Sequence, residues 1–253
     1  MNDHYITPLN DEPIIDEQDL LGRRHLLDVV KHAIAEGKPP QVFGIHGDWG
    51  SGKTSFLRQV RYELTGEHVL GPHDDLPAKL KSEAKGYAAA NPHVTAIWFE
   101  AWRYQNESAP IVALLHEIRS QITWRNHAAA KTKLSAQKYS EVAIRGGLLQ
   151  MEQVTKMIGF QASKVQEAGE TWEREHLAVS LPSDQIRALL DEVLGQLLPK
   201  TNKPEWDEKR RLVVFIDDLD RCEAETAFRL LEGIKIYLNL SRCVFVLGLN
   251  QRE

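Results

Sequence analysis

Cysteine is scarce in this chain. Only Cys222 and Cys243 occur in 253 residues, and they form no metal-binding pattern. A disulfide framework is therefore excluded, and both are read as small buried thiols of a reducing compartment. Long apolar runs are lacking too: none approaches the roughly 20 residues of a membrane-spanning helix. The ten histidines include no His-Glu-x-x-His or related spacing, so a structural metal site is not expected. Positive charge is not in excess. The net charge of −5 argues against a protein that coats nucleic acid, though not against a local basic patch. The N-terminus is acidic and polar, unlike a secretory signal, which leads to an expectation of a cytoplasmic protein. What remains, 42% hydrophobic and 26% charged residues, suits one large domain with a proper core.

One motif stands out. Residues 47–54 read Gly47-Asp48-Trp49-Gly50-Ser51-Gly52-Lys53-Thr54, the pattern of a phosphate-binding P-loop, or Walker A motif. The apolar run 41–46 before it reads as a short strand. The segment from Ser55 to Leu64 after it has apolar residues at helical spacing. Glycines let the backbone turn successive N–H groups toward one point, and the helix N-terminus adds partial positive charge there. The motif assigns Lys53 to the β- and γ-phosphates of ATP and the Thr54 hydroxyl to Mg²⁺, with Ser55 beside them.

A second motif lies downstream. Arg211-Leu212-Val213-Val214-Phe215-Ile216 is a run of the kind found in fully buried parallel strands, and it ends in Asp217-Asp218-Leu219-Asp220-Arg221. Acids at the carboxyl end of such a strand lie in the crevice where α/β sheets bind ligands. This is a Walker B strand: Asp217 is the candidate for the Mg²⁺ shell. Asp218 is the candidate to orient or deprotonate water.

Five pieces together resemble the KAP family of P-loop NTPases. They are Asp19-Leu20-Leu21-Gly22-Arg23, the tryptophan-containing loop 47–57, Trp98-Phe99-Glu100-Ala101-Trp102, Phe215 through Cys222, and Val244 through Asn250. The resemblance covers about 18–64, 94–105 and 211–250. It implies an ATPase acting as a switch or motor, a setting in bacterial conflict with phage, and action within assemblies. It also implies that the entry segment lies near the adenine. Many members of the family carry transmembrane helices within the domain; this chain departs from that pattern. Asn250, at the end of the next core strand, is a candidate γ-phosphate sensor, although relatives more often have Asp there. Glu100 is an alternative water-positioning acid, or else a surface carboxylate.

The expected fold is α/β: a mostly parallel P-loop sheet of the additional-strand class, ordered 5-1-4-3-2 by analogy. Four core strands are expected, at 41–46, 94–99, 211–217 and 242–248, with the fifth strand missing. The chain is thus expected to be incomplete at its C-terminus or to borrow an edge. The domain plan is an extended segment 1–18, a nucleotide-binding core of 19–103 and 211–253, and a helical insertion over 104–210. Expected helices are Asp19 to Glu36, with Leu20, Leu21, Leu26, Leu27, Val30 and Ile34 as its apolar side, and a short one near Ala78–Ala90. Four more are expected: Ile111–Gln121, around Ala128–Arg145, Leu148–Lys164 and Ser183–Leu198.

Three function classes fit: an Mg²⁺-dependent ATPase, a slow or non-hydrolysing nucleotide-binding assembly module, and a nucleic-acid-remodelling NTPase. The last rests on Arg119, Arg125, Lys131, Lys133 and Lys138 around Trp124; the plainer reading of these is a solvated helix face. The absent fifth strand would leave Val42, Phe43 and Ile45 of the 41–46 strand on an open apolar edge, which predicts either self-association or an unstable fragment with weakened ATPase activity.

Overall fold

The computed structural model describes residues 22–67, 91, 93–107, 109–131, 152–153, 155–156, 183–198 and 208–250. The expected segment 1–18, the helix near Ala78–Ala90 and most of 132–182 lie outside the described residues.

Four strands form one parallel sheet in the order β1-β4-β3-β2: β1 Gln41–His46, β2 Val94–Glu100, β3 Arg211–Asp217 and β4 Cys243–Leu249. β3 is buried along its whole length, as its apolar run requires. The order is the expected one without a fifth strand among the described residues.

Period-two alternation divides the strand residues between two faces. Ala96, Trp98, Val213, Phe215, Val244 and Val246 pack toward α1 (Arg24–Glu36) and α2 (Lys53–Thr65). Ile97, Phe99, Val214, Ile216, Phe245 and Leu247 pack toward α3 (Pro110–Lys131), α4 (Ser183–Leu197) and α5 (Ala224–Tyr237). α3 and α4 thus contribute directly to the core. Among the described residues no helix is long and apolar enough to cross a membrane.

Three expectations need correction. α1 starts at Arg24 rather than Asp19, because Gly22 takes a positive φ of 64° and Arg23 is not helical. Its buried stripe is Leu27, Val30 and Ile34, at spacings of three and four; Leu26 lies off that stripe and is half exposed. The expected helix Ile111–Gln121 instead runs unbroken to Lys131. Ser183–Leu197 and β4 each fall within one residue of their expected limits.

α1 is fastened at its C-terminus. Arg211 Nη1 donates to the carbonyls of Ile34 at 2.8 Å and Gly37 at 2.7 Å, and His93 Nε2 lies 3.3 Å from the Ala35 carbonyl. The last helix carbonyls, otherwise unpaired, thereby find donors at the foot of the sheet, which leaves the opposite end for chemistry.

The two sheet edges differ. On the outer edge of β2, the Gln121 side chain accepts from Trp98 N–H at 3.0 Å and donates to Trp98 C=O at 2.6 Å. It occupies the backbone as a neighbouring strand would. β1 has no strand on its outer side among the described residues. Val42 is 62% exposed there, whereas Phe43 and Ile45, also expected to be open, pack partly against the α1–α2 layer.

Candidate nucleotide site

The loop between β1 and α2 has the backbone that its glycines permit. Gly50 and Gly52 have φ of 72° and 81°, and Gly52 is the N-cap of α2. A Cβ on Gly47 would lie 2.6 Å from Ser51 Oγ, so any side chain there would force Ser51 to turn away. Ser51 N–H donates to Asp48 C=O at 3.1 Å, and Gly47 N–H donates to Leu249 C=O at 3.2 Å, tying the loop to the end of β4. Ser55 lies in the first turn of α2.

Walker A and Walker B meet through side chains. The Thr54 hydroxyl and the Asp218 backbone N–H both bear on the Asp217 carboxylate and favour its ionised form. Asp217 is only 3% exposed. Burial holds its carboxyl above the usual carboxylate range, against the pull of Thr54, the Asp218 amide, Arg58 and Arg221. Gly248 on β4 makes room for it: a Cβ there would stand 3.1 Å from Asp217 Oδ1.

Asp218 occupies the left-handed region, with φ 56° and ψ 28°. Among the described residues it is the non-glycine residue with positive φ, a conformation Asp tolerates better than most. Burial, then the neighbouring Asp217 charge, push its carboxyl up to about 6. Arg221 opposes this, with Nε 2.9 Å from Asp218 Oδ1.

The remaining expected residues divide. Lys53 Nζ donates to the carbonyls of Gly47 at 2.8 Å and Asp48 at 3.2 Å, and lies 3.6 Å from Asp220 Oδ2. Glu100 is the register partner of Asp217 on the next strand, so it borders the acids, but its carboxylate is paired with Arg103. Asn250 follows β4, and its Oδ1 is buried with no hydrogen-bond partner among the described residues. Trp49 is 64% exposed, with the Arg221 guanidinium 5.1 Å from its ring centroid.

From the sequence Arg221 is expected to be structural, and the partners of Asp220, Arg221, Gly248 and Arg23 are not foreseen. Arg23 Nη1 donates to the Gly52 carbonyl at 3.3 Å and so braces the loop from the entry segment. Asp220 and Arg221 lie inside the Asp-Asp-Leu-Asp-Arg run, so their proximity to the site was readable even though their partners were not.

Comparison with known proteins decides the family. The model described as the KAP family P-loop domain matches residues 23–252. The chain belongs to the KAP family. A short segment also resembles an uncharacterised protein of Methanocaldococcus jannaschii, with 50% identity over 34 residues, 13% of this chain and 18% of that protein. The KAP match covers both motifs described above, and a P-loop domain of this kind belongs to a nucleotide-binding class.

The residues fit a nucleotide with Mg²⁺. A buried carboxylate beside a hydroxyl is a hard-oxygen pair suited to that cation. No group of three or more His, Cys, Asp or Glu side chains among the described residues forms a metal cage. Mg²⁺ commonly needs none, being held by one or two protein oxygens together with substrate phosphates.

Proposed function

We propose that this KAP domain binds ATP with Mg²⁺ and hydrolyses it, the cycle serving as a switch or motor. The observation that carries the reading is the closeness of Thr54 to the buried Asp217 carboxylate, which brings the two motifs to one point. Backbone amides from Gly47 to Thr54 cradle the phosphates, with Asp48, Trp49, Gly50, Ser51 and Gly52 shaping the loop. Thr54 and Asp217 would hold Mg²⁺, which would supply positive charge to the phosphates. Asp218 takes the proton of the water that attacks the γ-phosphorus. The bond to the β-bridging oxygen breaks, leaving ADP and phosphate. Lys53 stabilises the negative charge on the transferring group. Asn250 senses the γ-phosphate through its side-chain amide N–H, which can donate to a phosphate oxygen.

Phosphate release by purified protein tests this reading. Asp218→Asn keeps nucleotide binding but lowers turnover by about a hundredfold or more, because an amide takes no proton. Wild-type turnover in that variant would transfer the role to Glu100.

A second reading is a slow assembly module. Its support is that Lys53 and Asp218 are each engaged by a neighbouring charge, and that Asp218 is a shorter acid than the Glu of many strong ATPases. The nucleic-acid reading has less support: Arg119 is paired with Glu152 at 3.1 Å, and Lys133 and Lys138 lie outside the described residues. Self-association through the β1 edge, and a core of 19–103 and 211–253 carrying a 104–210 insertion, complete the proposal. Light scattering with and without an ATP analogue tests the association. A cytoplasmic setting and a role in defence against phage are the wider context that family resemblance suggests.

A further inference from the structure

Asp220 is the third acid of the Walker B run, and the mechanism above leaves it unused. Its carboxylate lies 3.6 Å from Lys53 Nζ, and the two side chains are only 14% and 12% exposed. The same ammonium donates to Gly47 and Asp48 carbonyls. The Lys53 ammonium is thus surrounded by two carbonyls in hydrogen-bond range and one carboxylate at 3.6 Å. Asp220 is carried by the 3₁₀ turn Leu219–Arg221, directly after Asp218. Both ends of this pair therefore sit in the two motifs, Lys53 in the first turn of α2 and Asp220 in that 3₁₀ turn.

We propose that Asp220 is a built-in competitor for Lys53: a positioning residue that parks the lysine, and that phosphate must displace. The inference rests on the nucleotide-site reading. Its physical basis is that an ion pair shielded from water is worth more than an exposed one. A ligand engaging Lys53 gains a charge-assisted contact but first gives one up. Asp220 thereby weakens every ligand that reaches Lys53 and raises the phosphate charge needed to occupy the loop.

The test is titration of a fluorescent ATP analogue and of ADP, each with and without Mg²⁺, against wild type, Asp220→Asn, Lys53→Ala and the double variant. Asp220→Asn is expected to tighten both ligands about five- to tenfold, a gain of about one ion pair. Asp220→Glu, which keeps the charge, is expected to return toward wild type. In the Lys53→Ala background the gain is expected to fall below about twofold, because the cycle isolates the pair. Should the Asn variant not fold, as checked by circular dichroism, Asp220→Ser carries the same expectation. Equal or weaker binding by the neutral variants, with binding by wild type, overturns the inference alone. Weakening confined to the Mg²⁺ arm overturns it in favour of a metal-shell role. A gain that persists without Lys53 overturns it in favour of simple repulsion. No binding by any of the proteins overturns the nucleotide-site reading and this inference together.

Discussion

Arg221 stands 2.9 Å from Asp218, with its Nε against the carboxylate Oδ1. The same guanidinium lies over the exposed ring of Trp49, 5.1 Å from its centroid. One side chain thus connects the tip of the P-loop to the acid assigned to water.

This relationship sets a pH dependence. Asp218 must be ionised to take a proton, and its carboxyl is pushed up to about 6. The kcat/KM of hydrolysis should therefore rise as pH increases through about 6 and level off above it. Arg221 favours the ionised form. Arg221→Gln removes that charge, so the midpoint should move to higher pH, while Arg221→Lys should restore part of the shift. A pH–rate profile of the three proteins checks this. An unchanged midpoint in Arg221→Gln would deny Arg221 any hold on Asp218.

Gly248 makes room for the buried acid. In Gly248→Ala the new methyl carbon would meet Asp217 Oδ1 and Leu57 Cδ1, each at 3.1 Å. Neither is a freely moving end: both belong to buried side chains. The variant should lose about 1–3 kcal/mol of stability. It should also need more Mg²⁺ for half-maximal nucleotide binding. Denaturant unfolding and a Mg²⁺ titration measure the two effects; an unshifted Mg²⁺ midpoint would mean that Asp217 does not hold the cation.

Gln121 covers the outer edge of β2. Gln121→Leu keeps the bulk but strands the Trp98 N–H and C=O, at about 1–3 kcal/mol for each buried group left unpaired. A fall in the urea midpoint, accompanied by more light scattering from the newly available edge, is the expected result. Unchanged unfolding would show that water or another group replaces the amide.

Much of the core was legible because it obeys a simple rule. Unbroken apolar runs such as 211–216 become strands buried on both faces, and the acids at their ends follow from chain direction. The glycine loop was legible because its spacing is itself the geometry. Gln121 marks where the rule fails. A polar residue closes a helical pattern when side chains are read only as inside or outside, yet here it is buried and serves the backbone of β2, so the helix continues to Lys131. The roles of Asp220 and Arg221 were hidden for another reason. They depend on the left-handed Asp218 and the 3₁₀ turn after it, which bring Arg221 back to Asp218 and Asp220 to Lys53. Local conformation of that kind is set by tertiary context rather than by composition or period.

The central claim is that Lys53 and the loop around it receive the phosphates of a nucleotide. Calorimetric titration of a non-hydrolysable ATP analogue with Mg²⁺ tests it most directly, comparing wild type with Lys53→Ala. The account predicts saturable binding by wild type. In the variant, affinity should fall by about tenfold or more, because a charge-assisted contact worth about 1.5–3 kcal/mol is lost. Equal affinity in the two proteins would contradict it.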